Sequence, residues 1–189
     1  MNAIVPAGNR ALAANALASA TGVAVKGADN KQYLTFMLGG ETFAIGILCI
    51  KEIIEYSGVT DVPMMPACIR GVINLRGSVV PVLDLSARFG KTPSEVTKKT
   101  CIVIVEVQAG EDRHDMGVVV DAVNAVLEIP ASEIEPAPAF GARIRTDFIE
   151  GMGKVGGKFV ILLSVSQVLS TEELGALGQA SAATDLSVV

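Results

Sequence analysis

Read for its apolar positions alone, the chain alternates between short runs of period two and breaks marked by Gly or Pro, the pattern of a β protein. Gln32–Leu38 (QYLTFML) predicts a strand, Gly39-Gly40 a turn, and Glu41–Gly46 the strand that pairs back. Ile47–Ile50 fits either a strand or a short helical turn, and Lys51–Tyr56 alternates again with Glu52 opposite Ile53. After Pro63 and Pro66 comes the stretch on which the chain is centred, IRGVINLRGSVVPVLDL (Ile69–Leu85). Its β-branched residues predict two strands joined at Arg76-Gly77, where Gly supplies the positive φ of a hairpin turn. A helical turn over Ser86–Phe89 and a polar connector over Lys91–Lys99 follow. Thr100–Val107, Met116–Val120 and Val123–Ile129 predict further strands, with a loop over Gln108–Asp115. Pro130, Pro136 and Pro138 mark an irregular link before a second hairpin, Ile149–Val155 and Lys158–Leu163, around Gly156-Gly157. Ser170 or Thr171, then Glu172 and Glu173, offers a cap and an acidic first turn for a C-terminal helix.

The pattern occurs twice. FAIGILCIKEIIEY (Phe43–Tyr56) matches MGVVVDAVNAVLEI (Met116–Ile129) at an offset of 73, and IRGVINLRGSVVPVLDLSARF (Ile69–Phe89) matches IEGMGKVGGKFVILLSVSQVL (Ile149–Leu169) at an offset of 80. Gly71 falls on Gly151 and Gly77 on Gly157. Two similar β units of about five strands each are implied. Units that small are marginal alone, so they should share apolar surface, and the seam is the natural place for a groove.

Composition narrows the function. Half of the 189 residues are hydrophobic, yet no apolar run reaches the roughly 18 residues of a membrane helix. A net charge of −5, no Trp and two Tyr argue against a nucleic-acid surface. Cys49, Cys68 and Cys101 lie in apolar stretches without CxxC spacing, which suits reduced thiols of a cytoplasmic protein. The one histidine, His114, leaves too few ligands for a zinc site. GMGKVG (Gly151–Gly156) spells GxGxxG, but a strand follows where a nucleotide site needs a helix. No GxSxG, HExxH or P-loop is present, and no pair of carboxylates is singled out. The class by elimination is a non-enzymatic binding module without a cofactor. A small-ligand-binding or enzymatic β-barrel using the seam is the alternative.

The polar residues of the central stretch then become specific. PACIRGVINLRGSVVPVLDLSARFG closely resembles the signature of the CheW family, the coupling proteins of bacterial chemotaxis. TFAIGILCIKEIIE, MGVVVDAVNAVLEI and EPAPAF resemble the same family, so the likeness runs from about Lys31 to Leu174. It implies an all-β fold of two SH3-like five-stranded barrels packed together. The implied domain is 31–174, with intertwined units of roughly 31–99 and 100–169. Residues 1–30 are expected to be a disordered or weakly helical tail, and 175–189 a frayed one. The implied function is a cytoplasmic scaffold, recruited to receptor arrays, that joins the tips of methyl-accepting chemoreceptors to the regulatory domain of the histidine kinase CheA. The family's motif falls on Arg70, Gly71, Asn74, Leu75, Arg76 and Gly77. Its receptor-facing positions fall on Ile50, Gly71 and Val126, and its paired polar positions on Glu52 and Arg76, expected to form a partly buried ion pair. On composition Ile50 also reads as core, and Gly71 as a backbone requirement. The chain departs from the family in its long N-terminal tail, a polar insertion at Gly110–Asp115, and Cys68 where a bulky aromatic is common.

Overall fold

In the computed structural model, which describes residues 30–138 and 144–175, the alternating runs become β1 (Asn30–Leu38), β2 (Glu41–Gly46), β3 (Ile50–Glu55), β4 (Ile69–Leu75), β5 (Ser78–Asp84), β6 (Cys101–Ala109), β7 (Asp112–Val120), β8 (Ala122–Pro130), β9 (Ile134–Glu135), β10 (Ile149–Val155) and β11 (Lys158–Leu163). One-turn helices α1 (Leu85–Arg88) and α2 (Val165–Val168) follow β5 and β11. Residues 171–175 are helical as well. Apart from Asn30 and Gly175, the expected tails at 1–30 and 175–189 lie outside the described residues.

The strands form two sheets, ordered β8-β1-β2-β11-β10-β9 and β3-β6-β7-β5-β4. Sheet membership therefore does not follow a division near residue 99. One sheet joins 30–46 to 122–163, and the other takes 50–120. The short links explain the exchange. Only Asp121 separates β7 from β8, too little chain for a hairpin, so β8 bends away and pairs with β1. Asp121 fixes the bend by donating its N–H to the Met37 carbonyl (3.0 Å) and accepting from the Gly39 N–H (2.8 Å). The 3₁₀ turn Ile47–Cys49 makes the opposite crossing from β2 to β3.

The sequence repeat reappears as duplicated register. Ile50↔Val105 and Glu52↔Ile104 flank a bulge in the five-stranded sheet. Their counterparts, Val123↔Phe36 and Ala125↔Thr35, flank one in the six-stranded sheet. The hairpins bulge alike, between Ile69 and Gly71 and between Ile149 and Gly151. Even the parallel rungs correspond, Val82↔Gly117 with Leu162↔Ala44.

Both sheets contribute to the main core, with Phe36, Phe43 and Leu163 from one and Leu83, Val103 and Val118 from the other. A file of rings runs through it: Phe36–Phe43 at 6.2 Å, Phe43–Phe89 at 5.7 Å and Phe89–Phe148 at 5.9 Å. Phe36, Phe43 and Phe148 are fully buried, each worth roughly 1.5–3 kcal/mol, and Phe89 is half-buried. The cavity left between the sheets is only ≈ 10 Å³. The seam interior is thus packed rather than an open ligand pocket.

One expected loop is a strand pair. Over Gln108–Asp115 the ladder of β6 and β7 continues to Ala109↔Asp112, turning at Gly110-Glu111. Ion pairs replace apolar burial there: Lys51 Nζ lies 3.2 Å from Glu106 and 2.7 Å from Asp115, and Arg113 lies 3.0 Å from Glu106.

Candidate functional site

The central hairpin is fixed at both ends by its own polar residues. At the tip Arg76 and Gly77 have φ of 52° and 86°, as a type I′ turn requires, and Asn74 Oδ1 accepts from the Gly77 N–H at 2.8 Å. At the base Asp84 is fully buried. Its Oδ2 accepts from Arg70 Nε (2.8 Å) and the Ser94 N–H (3.0 Å), and its Oδ1 caps α1 through the Ala87 N–H (3.2 Å). Arg70 spends its remaining donors on the Ser94 carbonyl and on Tyr56 Oη (3.4 Å). Arg70 and Asp84 therefore pin the polar connector and the start of β4 to the end of β5. Their role is to hold the hairpin's shape.

Glu52 and Arg76 form the more exposed pair. Arg76 Nη1 and Nη2 donate to Glu52 Oε1 and Oε2, both at 2.8 Å. Such a two-bond pair fixes geometry as well as charge. The pair is wetter than expected, with the Arg76 side chain 78% exposed and that of Glu52 24%. The hairpin tip stands clear of the barrel wall, so only the carboxylate is sheltered. The repeat shows what is special here: position 76 corresponds to Gly156 and position 52 to Ala125. Gly156 and Gly157 make the same positive-φ turn at φ 57° and 79°. Arginine therefore occupies a backbone conformation that glycine fills in the other half, and it brings a bond the other half lacks.

Gly71 is a backbone position. Its φ is 150°, and a Cβ there would overlap the Thr60 carbonyl group, with the Thr60 carbon at 2.8 Å. The contact exists because Thr60 and Val72 exchange backbone hydrogen bonds of 2.9 Å across the bulge. In the other half Gly151 lies under β9 with a little more room, where a Cβ would be 2.7 Å from Ile134 Cγ2 and 3.0 Å from the Glu135 carbonyl. Gly71 is buried, and it shapes a surface by letting the Thr60 segment lie flat.

Ile50 and Val126 are half-buried, on β3 and β8, and both pack against the main core. Ile50 shares β3 with Glu52, whereas Val126 belongs to the other sheet. Leu75 is half-buried against the small core of Val80, Val82 and Ile102. Sequence patterning missed several residues of this surface. Leu48, in the 3₁₀ turn beside Ile50, is completely exposed. Val79 and Phe159, equivalent in the repeat, are 73% and 52% exposed beside the two hairpin turns. The offset of 80 was the signal that would have paired them. A groove of ≈ 650 Å³, lined by Met65, Ile69, Val79, Met116 and Leu174, runs beside β5 and β7. It opens where those strands diverge below the Val82↔Gly117 rung.

Among the described residues no group of three or more His, Cys, Asp or Glu is placed to hold a metal ion, and no helix is long and apolar enough to cross a membrane. No buried side-chain polar atom lacks a partner among them. The polar residues of the region are engaged with one another: beside the Glu52–Arg76 brace, Lys51 pairs with Glu106 and Asp115 and Arg113 with Glu106, and the apolar side chains of the groove lie next to them.

Comparison with known proteins places this geometry. The model of the CheW-like domain matches residues 32–173. The chain is 35% identical over 144 residues to the chemotaxis protein CheW of Klebsiella aerogenes, covering 76% of this chain and 84% of that protein. It is also 35% identical over 143 residues to that of Bacillus subtilis, covering 75% and 88%. The crystal structure of the scaffolding protein TtCheW from Thermoanaerobacter tengcongensis superposes with a TM-score of 0.68 at 32% identity, covering 77% of this chain and 92% of that one.

Proposed function

The chain belongs to the CheW-like family, and from that premise we propose that it is a non-enzymatic scaffold of bacterial chemotaxis. It couples the cytoplasmic tips of methyl-accepting chemoreceptors to the regulatory domain of the kinase CheA. The relatives that carry the chemotaxis name, and a solved neighbour described as a scaffolding protein, support this reading. In it the protein works in the cytoplasm and reaches the membrane only through the receptors.

The observation that carries the reading is the asymmetry of two otherwise matching halves. Glu52 and Arg76 are bonded in one, and Ala125 and Gly156 stand at the same places in the other. An adaptor must present unlike surfaces to unlike partners, and a duplicated fold does so by changing a few side chains on a shared frame. Ile50 and Val126 serve as apolar receptor contacts, Gly71 keeps the neighbouring Thr60 segment low, and the ion pair orients the hairpin beside them. Exposed Val79 and Phe159 give each half an apolar spot for a further protein.

The test is co-sedimentation of the purified protein with receptor-containing membranes, with and without CheA. Binding to receptor membranes that rises when CheA is added supports coupling. Sedimentation no greater than with receptor-free membranes, in either case, rejects it.

A further inference from the structure

Away from the hairpin, three segments converge on one carboxylate. Glu173 lies in the terminal turn 171–175 and accepts from Arg88 Nη2 at 2.6 Å and from Arg145. The Arg88 side chain is only 5% exposed, and its Nε donates to the Val168 carbonyl at 2.9 Å. Both guanidinium groups face the ring of Phe148, at 4.7 Å for Arg88 and 4.6 Å for Arg145. Asp147 provides Arg145 with a second carboxylate. Arg88 belongs to α1, which follows the five-stranded sheet, whereas Phe148 leads into β10 of the six-stranded one. Glu173 therefore ties together both halves of the molecule.

The helical residues 171–175 that carry Glu173 belong to neither sheet. Among the described residues their anchors are the Glu173 carboxylate and Leu174, which is buried in the main core and donates its N–H to the Ser170 carbonyl at 3.0 Å. Thr171 and Leu174 also form one wall of the groove beside β5 and β7. If the turn lifted, Arg88 would keep the Val168 carbonyl and the Phe148 ring, and no strand pairing would break. We propose that residues 171–175 are a releasable latch across the seam, with Glu173 as its bolt, whose opening lifts Leu174 from the core and widens the groove while both sheets stay folded. This device is independent of which partner the groove receives.

The test uses the full-length protein with Glu173→Gln, which keeps size and hydrogen-bonding capacity but removes the charge, and Glu172→Gln as the exposed neighbour. Two readouts are taken: hydrogen exchange over residues 168–174, and alkylation of Cys68 followed by peptide mass. Cys68 and Cys101 are both buried in the core that holds Leu174, but Cys68 feels the charge of Arg88, the partner of Glu173, whereas Cys101 feels that of Glu55. Cys101, buried in the ladder of β6, reports global opening. Glu173→Gln should speed exchange in 168–174 and alkylation of Cys68 by about tenfold, as expected when a charge-assisted bond is lost. Cys101 should react at its original rate, and Glu172→Gln should match the unmodified protein. Unchanged rates in Glu173→Gln, equal acceleration of Cys101, or the same effect from Glu172→Gln would each overturn the latch.

Discussion

Glu52 and Arg76 close the five-stranded sheet on itself: β3 and β4 are its two edge strands, yet the carboxylate of one and the turn beyond the other meet through two 2.8 Å hydrogen bonds. The bond acts as a brace across an open barrel edge. Because Arg76 is mostly exposed, its net contribution to stability is small, about 0–1 kcal/mol. Its importance lies in where it holds the hairpin.

Arg76→Gly separates those roles. It removes the brace, and it also relieves an arginine from φ 52°, a relief of about 1 kcal/mol. Chemical denaturation should therefore find stability changed by less than about 1 kcal/mol, while receptor-dependent kinase stimulation falls. A stability loss of several kcal/mol would mean that the pair is a folding element instead.

Gly71→Ala should destabilise strongly, by about 2 kcal/mol or more, because the new Cβ meets backbone at Thr60 and the φ is unfavourable. Gly151→Ala should cost less, since its first obstacle is the Ile134 side chain and its φ is not left-handed. Thermal melts of the two variants give the comparison. Equal costs would contradict the role assigned to the Thr60 bridge.

Asp84→Ala should be the most damaging substitution of the hairpin. It leaves Arg70 without its buried carboxylate and unseats both Ser94 and the cap of α1. Loss of one partner of a buried pair costs about 3–5 kcal/mol. A denaturation midpoint close to that of the unmodified protein would refute this.

Acid should loosen the terminal turn. Hydrogen bonds from Arg145 and then Arg88 hold the Glu173 carboxyl below its usual range, and a hydrogen bond from Arg145 does the same for Asp147. Groups lowered in the folded state stabilise it above their ordinary pKa values, and that contribution disappears as pH falls through the folded ones. Exchange over 168–174 should therefore accelerate as pH drops below about 4 relative to the sheet amides, once intrinsic rates are corrected. Glu173→Gln should flatten that dependence, and an unaltered profile in the variant would count against it.

The strands and both hairpins were legible because they rest on local rules, alternation of apolar positions and glycine at positive φ. Sheet membership was not local. Nothing in the pattern of Met116–Ile129 says that the chain changes sheets at Asp121, a consequence of the missing turn residues. The arm over Gln108–Asp115 was hidden because its ladder is supported by Lys51, Glu106 and Arg113 instead of an apolar face. Pairing of Glu52 with Arg76 was anticipated through the family likeness, but its exposure depends on how far the tip projects. The reason for Gly71 lies in Thr60, eleven positions earlier, which carries no sign of the contact.

The most direct measurement of the account is CheA autophosphorylation reconstituted with receptor membranes and the purified protein. The protein should raise kinase activity only when receptors are present, and Glu52→Ala or Arg76→Ala should each lower that stimulation. The double variant should be no worse than the poorer single one. Kinase activity that ignores the protein in the presence of receptors, or that it raises equally without them, would contradict coupling.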